Sequence, residues 1–351
     1  MANIVLLLAH AVEEHDMVQL LSELGHNVFS IGAYSNPAAP GVDIRPALPD
    51  VPYFPDLEAA CHEQRVRHEG QTHDADGRDV VDWAKRELPD AVLEWADVVI
   101  VHHLEHTWLV PDWPRLRASG KRIVWRSVGQ SVAGNEAMMA PLRAEGLERV
   151  TYSPKEHNIP GFSGETALIR FWKDPDEFGP WTGDIPAVIN ITQQLRQRDP
   201  YTNWRFWDAA TTGLPRIAMG PGSEVIGGTG ELTYPKMKEM LRRVRCYLYT
   251  GTQPASYTLG LIEAMMSGTP VVSIGPAWMD VFPYGPSLFE GHEVIPSESV
   301  WHDDPVMIRG ALGALLQDRS VAADWSDATR ARAIDLFGKA KIAEQWREFL
   351  A

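Results

Sequence analysis

One segment of this sequence, Thr250 to Gly275, combines a helix start with hydroxyl and carboxylate side chains at a spacing that suits an anionic ligand. A buried strand is predicted to end at Thr250, and a helix is predicted to begin near Leu259 and to stop at Gly268. The first backbone N–H groups of a helix have no partner within the helix, and the helix dipole is positive there. The polar turn before Leu259 therefore predicts a phosphate site.

The side chains around this helix start extend the prediction to a nucleotide. Ser256 and Thr258 add hydroxyl groups to the turn, and Glu263 follows about one helical turn after the start. A carboxylate at this position can accept hydrogen bonds from the two hydroxyls of a ribose. The alternative is an ordinary helix cap, because serine and threonine are common at helix starts whatever the function.

Two arginines in the polar loop 193–201, Arg196 and Arg198, are candidate catalytic residues that would bind a diphosphate. A guanidinium can pair with phosphate oxygens in a bidentate manner, although a solvated loop arginine is the alternative for each. Gly222, in the segment GPGSE after another predicted strand, would let the backbone approach a nucleotide base closely. A plain turn is the alternative there.

His102 and His103 end a predicted strand, which is where open α/β sheets bind their ligands. Both are candidate catalytic residues, because an imidazole there can hydrogen-bond a sugar or an acceptor, and a structural histidine is the alternative. His10 and Glu136 are further candidates for contact with the acceptor or the sugar, as is the Glu13-Glu14 pair. For these carboxylates the alternative is an ordinary acid at a helix start.

Alternating strands and helices must position these side chains. The elements predicted in the first half are strand Asn3 to Leu8, helix Met17 to Leu24, strand Val28 to Ile31, helix Val80 to Trp95, strand Asp97 to Val101, helix Trp113 to Ser119 and strand Arg122 to Trp125. Residues 34–79 are rich in proline, histidine, aspartate and glycine and are predicted to form an irregular surface insertion.

A predicted linker at residues 171–184 leads to a second alternating set. Its elements are strand Ala187 to Thr192, helix Thr202 to Thr211, strand Arg216 to Met219, helix Tyr234 to Val244, strand Cys246 to Thr250, helix Leu259 to Ser267, strand Pro270 to Ile274, helix Asp304 to Leu316 and a helical region Val321 to Phe349. The fold class is therefore predicted to be α/β, with two Rossmann-like halves that face each other across a cleft.

The composition of the 351 residues narrows the class of protein. The formal net charge of −15 opposes general attraction to nucleic acid or to an anionic membrane surface. No stretch has the length of a transmembrane helix, and the first residues predict a strand rather than a signal peptide. Two cysteines, and histidines without cysteine partners, predict neither disulfides nor a zinc site, and we expect a cytoplasmic protein.

The segment from Ala255 to Val272 resembles the signature of the retaining family 4 glycosyltransferases, E-G-F-G-L-x-x-x-E-A-M-A-x-G-x-P-V-V. The matching residues are Leu259, Glu263, Ala264, Met265, Gly268, Pro270, Val271 and Val272. The resemblance implies a GT-B architecture in which the amides of the turn at Ser256, Tyr257, Thr258 and Leu259 bind the donor diphosphate. It also implies that Glu263 holds the ribose.

The resemblance covers the C-terminal half. The N-terminal half resembles the family only in its general order of strands and helices. DPDEF at residues 174–178 is similar to the family's domain junction, and residues 328–350 are similar to its closing helices. It implies an acceptor domain over residues 1–172, a donor domain over residues 173–335 and a helix over residues 336–351 that packs back on the first domain. The family's diphosphate-binding arginine and lysine correspond to the loop of Arg196 and Arg198, which lacks a lysine.

One departure from the family concerns the chemistry. Ala255 occupies the position of the family's first glutamate, which faces the transferred sugar. Either another group takes the role of this carboxylate, or the donor differs, or the chain has lost catalysis.

The activity implied by the resemblance is sugar transfer from a UDP- or GDP-linked donor, with retention of configuration and without metal or cofactor. The departing phosphate then takes the proton of the acceptor. A saccharide, a small molecule and a modified nucleobase are all open as acceptors, and the oligomeric state is open as well. The alternatives are a GT-B-shaped nucleotide-sugar epimerase and a non-catalytic nucleotide-sugar-binding protein.

Overall fold

The structure is a computed structural model that describes residues 1–7, 11–32, 34, 36–37, 45–67, 72–73, 79–80, 87–102, 105–129 and 132–351. Its N-terminal half contains β1 Asn3–Leu7, α1 Ala11–Glu23, β2 Asn27–Ser30, α2 Pro55–Arg67, β3 Thr72–His73, β4 Asp79–Val80, α3 Asp90–Trp95, β5 Val98–His102, α4 Glu105–Ala118, β6 Arg122–Arg126, α5 Ala133–Ala144, β7 Glu148–Thr151 and β8 Ala167–Leu168.

The described strands of this half form a parallel sheet in the order β2-β1-β5-β6-β7-β8, with β3 and β4 as a separate antiparallel pair. Alternate residues of β1 enter different apolar clusters, Val5 and Leu7 on one side and Ile4 and Leu6 on the other. Both faces are therefore covered, which explains why β1 and β5 are continuous apolar runs.

The C-terminal half contains β9 Ile185–Ile191, α6 Trp204–Thr211, β10 Arg216–Met219, α7 Tyr234–Arg243, β11 Val244–Tyr249, α8 Leu259–Met266, β12 Val271–Ile274, α9 Gly285–Leu288, α10 Gly291–Val294, β13 Trp301–His302, α11 Pro305–Gln317, α12 Arg319–Phe337 and α13 Lys339–Leu350. Its sheet is parallel, in the order β10-β9-β11-β12-β13. The predicted second α/β unit is confirmed.

The end of α8 is set by Gly268, as the sequence predicts. Gly268 has a φ of +72°, which glycine adopts without the strain that a Cβ would cause. Its N–H donates to the carbonyl of Met265 (2.9 Å), and the N–H of Thr269 donates to that of Ala264 (3.0 Å). This Schellman arrangement satisfies the last carbonyls of the helix and turns the chain into β12.

The last helix returns to the first domain. Ile342 and Trp346 of α13 are buried in one cluster with Ile4 and Val98 of the N-terminal sheet. The chain crosses between the halves where the N–H of Lys339 donates to the carbonyl of Lys173 (3.1 Å). The domain limits at 172/173 and 335/336 stay a prediction.

Two predictions about the first half are wrong. The helix predicted from Val80 to Trp95 is, in the described residues, a strand at Asp79–Val80 and a short helix from Asp90. Pro89 stands at the N-cap with a φ of −54° and a ψ of 140°, and a proline suits a helix start rather than its interior.

The region 34–79, predicted to be irregular, contains α2, and its residues Tyr34, Arg45, Leu57 and Cys61 are buried. Among the described helices, none combines the length and the apolar character that crossing a bilayer requires.

Candidate functional site

A cleft of about 880 Å³ lies between the two sheets, next to the carboxyl ends of their strands. Its N-terminal wall includes Val12, Glu13, Arg45, Val128 and Gly129. Its C-terminal wall includes Gly220, Ala255, Thr258, Leu259, Gly260 and Glu263. The segment from which the sequence predicts a nucleotide site therefore lines an interdomain cleft.

The start of α8 carries free hydrogen-bond donors. Thr258 is the N-cap, with an extended backbone (φ −121°, ψ 157°) and no hydrogen bond from its side chain to the helix. In the described part of the chain, no acceptor meets the N–H groups of Leu259 and Gly260. Both residues line the cleft, so an anion there would meet two amides and the positive end of the helix dipole.

The turn before α8 is attached to the N-terminal domain. The N–H of Ser256 donates to the hydroxyl of Tyr152 (2.8 Å), and the hydroxyl of Tyr257 donates to the carbonyl of Tyr152 (2.7 Å). Ser256 is fully buried and lies outside the described lining of the cleft, whereas Tyr257 contributes to that lining. The amide of Ser256 is thus engaged within the protein, unlike those of Leu259 and Gly260.

Glu263 belongs to a buried cluster of charges that the sequence did not predict. Arg45 Nη2 donates to Glu263 Oε1 (2.5 Å), and Lys173 Nζ lies 3.5 Å from the same oxygen. Lys173 also donates to Asp16 Oδ2, and Arg45 Nε lies 3.8 Å from Asp16 Oδ1. Two cations and two carboxylates therefore meet at the junction of the domains.

The pKa values of two members of this cluster, Asp16 and Arg45, are shifted in the directions that keep both groups charged. Burial by itself would raise the pKa of Asp16, but Lys173, a hydrogen bond from His15 and Arg45 hold it below its ordinary value. Burial by itself would lower the pKa of Arg45, but the carboxylates of Glu263 and Asp16 raise it. Each ion depends on the opposite charges around it, as buried ions do.

The two candidate arginines differ in position. Arg198 lines the cleft, whereas Arg196 is exposed and lies 5.9 Å from the ring of Trp204. Gly222 lies next to the cleft-lining pair Gly220 and Pro221, and its carbonyl accepts a hydrogen bond from Gln197 (2.9 Å).

The other candidates are spread over the N-terminal domain. His102 is buried at the end of β5, outside the described lining of the cleft. Glu136 is buried in α5, where it accepts a hydrogen bond from Arg149 (2.7 Å). His10 and His103 lie outside the described residues. The catalytic and acceptor roles of these residues stay predictions.

Of the Glu13-Glu14 pair, only Glu13 faces the cleft. Glu14 accepts hydrogen bonds from the Ser30 hydroxyl and from the N–H of Tyr34 (2.8 Å). Glu13 lies 3.6 Å from Arg126 Nε, and burial raises its pKa to about 7 despite that positive charge. In the described ranges, no three histidine, cysteine or carboxylate side chains converge as they would around a metal ion.

No protein-family model matches the chain, and no curated protein matches its sequence. Solved structures do match it over its full length. HepE of Anabaena, in complex with UDP and glucose, has a TM-score of 0.66 at 12% identity, over 100% of this chain and 99% of that one. A glycosyltransferase of Rickettsia africae has a TM-score of 0.67 at 11% identity, over 99% and 97% of the two chains.

An α-glucosyltransferase in complex with UDP and a 13-mer DNA containing an HMU base has a TM-score of 0.54 at 11% identity, over 99% and 98% of the chains. The chain has the GT-B fold. The predicted architecture is thereby confirmed, including the two facing α/β domains and the helix that returns to the first domain.

Ala255 of the C-terminal domain lies against the first domain across the cleft. A Cβ on Gly129 would lie 3.3 Å from the Cβ of Ala255. Gly129 has a φ of +91°, so a larger residue would be strained there as well as crowded. Two small residues, Gly129 and Ala255, are therefore in close contact at this point of the cleft.

Arg45, Lys173 and Gly129 are site residues that sequence reasoning missed. Arg45 lies in RPALPD, a segment without periodicity, and only its contact with a residue 218 positions later makes it notable. Lys173 lies next to the predicted domain junction, and this position is the one local signal that pointed toward the cleft.

Proposed function

We propose that this chain transfers a sugar from a nucleotide-diphospho sugar to an acceptor bound in the interdomain cleft. The observation that carries the proposal is the start of α8. There, the amides of Leu259 and Gly260, which have no partner within the described residues, face the same cleft as Glu263. A diphosphate on the amides and a ribose on the carboxylate would use both groups.

The donor is proposed to be UDP- or GDP-linked. The UDP and glucose bound to HepE, and the UDP bound to the α-glucosyltransferase, support a nucleotide-diphospho sugar as the ligand of this fold. Arg198 is proposed to stabilise the leaving diphosphate, because negative charge develops there as the glycosidic bond breaks. The acceptor is proposed to be a saccharide, a small molecule or a modified nucleobase.

The reaction is proposed to retain configuration and to need neither metal nor cofactor. In such a step the bond from the anomeric carbon to the phosphate oxygen breaks, the acceptor oxygen bonds to the same face, and the departing phosphate takes the acceptor proton. Hydrolysis of UDP-glucose tests this without a known acceptor. We expect the first-formed glucose to be the α-anomer by ¹H NMR and the rate to be unchanged by EDTA.

A second candidate function is nucleotide-sugar binding without transfer. The contact between Ala255 and Gly129 favours it, because no carboxylate occupies the position that faces the transferred sugar in family 4. A protein that binds a nucleotide sugar but neither hydrolyses it nor transfers it to a broad acceptor panel would support this alternative. Exchange of the sugar C2 proton with solvent would instead indicate an epimerase.

Thermal shifts with UDP-, GDP-, ADP- and dTDP-sugars test the donor site directly. A ligand that binds only the folded chain raises its stability by mass action, by about 2.7 kcal/mol at a hundred times its Kd. We expect one base to give a clear shift. The absence of a shift with all four would refute the proposed function.

The role of Glu263 is tested by pairing a variant with a modified ligand. We expect the wild type to bind UDP about 10-fold more tightly than 2′-deoxy-UDP, because a hydrogen bond to a charged group contributes about 1.5–3 kcal/mol. In Glu263→Gln this preference should fall to about 3-fold or less, as measured by calorimetry. Both glutamine and alanine remove the negative charge beside Arg45 and Lys173, but glutamine keeps the shape of the side chain and an oxygen that can accept a hydrogen bond from Arg45.

Glu239→Gln is the matched control, since Glu239 is an exposed glutamate of α7 in the same domain. It should retain the full preference for UDP. If Glu263→Gln retains it as well, Glu263 does not bind the ribose.

A further inference from the structure

Arg45 connects the N-terminal domain to the residue that is proposed to bind ribose. Its side chain is 2% exposed, its Nη2 donates to Glu263 Oε1, and its guanidinium lies 4.1 Å above the ring of Tyr234. It lines the interdomain cleft and also a second cavity of about 420 Å³ beside Tyr234 and Lys238. In this state Arg45 occupies an oxygen of the carboxylate that the ribose needs.

The cluster can release Arg45 without leaving a carboxylate unpaired. Lys173 contacts both Asp16 and Glu263, so one cation continues to serve both acids if the guanidinium moves away. After that movement the cluster would carry a net negative charge, since one lysine would face two carboxylates. The free arginine would then be attracted to the next available anion in the cleft.

In the described lining of the cleft, the C-terminal domain contributes one cation, Arg198. The loop 193–201 contains no lysine, and of its two arginines only Arg198 lines the cleft. A nucleoside diphosphate carries more than one negative charge, and this charge grows as the sugar departs. Arg45 shares the cleft lining with Leu259 and Gly260, the proposed diphosphate amides.

We propose that Arg45 is a diphosphate-binding residue that the N-terminal domain supplies, and that it pairs with Glu263 only until the donor enters. The ribose hydroxyls replace the guanidinium on Glu263, and the guanidinium pairs with the diphosphate. Donor binding thereby replaces the contact of Arg45 with Glu263 by a contact of Arg45 with the donor diphosphate, which the C-terminal domain also binds. This inference rests on the proposed function and adds to it a cation from outside the donor domain.

Three ligands separate this role from a merely structural one: UDP, uridine and inorganic pyrophosphate. We expect Arg45→Met to weaken UDP and pyrophosphate binding by 10- to 100-fold. Uridine affinity should stay within 2-fold or improve, because its ribose no longer competes with Arg45. Arg347→Met, which removes an exposed arginine of α13, is the matched control and should change none of the three Kd values.

Equal weakening of UDP and uridine by Arg45→Met would overturn the inference, because it would show that Arg45 only orients Glu263. Unchanged UDP binding would overturn it too, while the proposed function would stand. If Arg45→Met does not fold, Arg45→Lys provides the readout, since it keeps the charge but loses bidentate geometry. We then expect a 3- to 10-fold loss that is confined to UDP and pyrophosphate, and a loss shared by uridine would refute the inference.

The failure of the proposed function gives a different result. A wild type that binds none of these ligands, nor the GDP, ADP and dTDP counterparts, would refute the proposed function and this inference with it. If the thermal-shift panel selects GDP, then GDP and guanosine replace UDP and uridine, and the expected ratios are the same.

Discussion

Glu13 is a buried carboxylate whose charge depends on pH near neutrality. Burial raises its pKa from 4.5 to about 7, although Arg126 lies 3.6 Å away. Between pH 4.5 and about pH 7, Glu13 is therefore protonated in the folded chain and ionised in the unfolded chain. The contribution of Glu13 to the free energy of unfolding therefore falls as the pH rises through this window, by about 3 kcal/mol in total.

Glu13→Gln should remove this pH dependence. We expect the stability of the variant relative to wild type to improve by about 3 kcal/mol between pH 4.5 and pH 8, as measured by urea unfolding. Glu231→Gln, at an exposed carboxylate on the opposite wall of the cleft, is the control and should show no such trend. A difference between Glu13→Gln and wild type that is the same at both pH values would contradict the assignment.

At the scale of the element, the start of α8 allows one amide to be removed without breaking the helix. Leu259 is the first helical residue, and no acceptor for its N–H occurs among the described residues. Proline is well tolerated at this position, and the extended backbone of Thr258 suits a residue that precedes proline. The helix should therefore form in Leu259→Pro.

We expect Leu259→Pro to weaken UDP binding by about 10-fold or more, because one hydrogen bond to a charged phosphate is lost. Uridine affinity should stay nearly constant. Leu259→Ala keeps the amide while removing the half-buried side chain, and it serves as the control for packing. Equal UDP affinity in the proline and alanine variants would show that this amide does not bind the diphosphate.

At the scale of the whole molecule, α13 makes the N-terminal core dependent on the end of the chain. Trp346 is fully buried and belongs to one apolar cluster with Ile4 and Val98 of the N-terminal sheet. Truncating a buried tryptophan to alanine costs about 3–5 kcal/mol. That cost should fall on the first domain more than on the second.

Hydrogen exchange measures this distribution in Trp346→Ala. We expect the protection of amides in β1 and β5 to fall by 10²–10³-fold, with a smaller change in β11. Ile334→Ala, at a 41% exposed position of α12, is the control and should leave both sheets unchanged. Equal loss of protection in the two sheets would contradict the expected distribution.

Much of the architecture could be predicted because its signals are local. The runs at β1, β5 and β11 are apolar and rich in β-branched or aromatic residues, and Gly268 marks the end of α8. Such patterns depend on residues only a few positions apart. The helix predicted over residues 80–95 failed because its apparent periodicity runs through Pro89, which marks the start of α3.

The arrangement inside the cleft depended on contacts that no local pattern encodes. The sequence by itself determined two α/β units, the helix start at Leu259 and the position of Glu263 one turn later. Only the tertiary structure decided that the amide of Ser256 is bonded to Tyr152, whereas those of Leu259 and Gly260 meet no acceptor in the described part of the chain. Only the tertiary structure, too, brought Arg45 into contact with Glu263. The physical reason is that helices and strands follow from neighbouring residues, whereas a buried charge requires an opposite charge that the fold brings from anywhere in the chain.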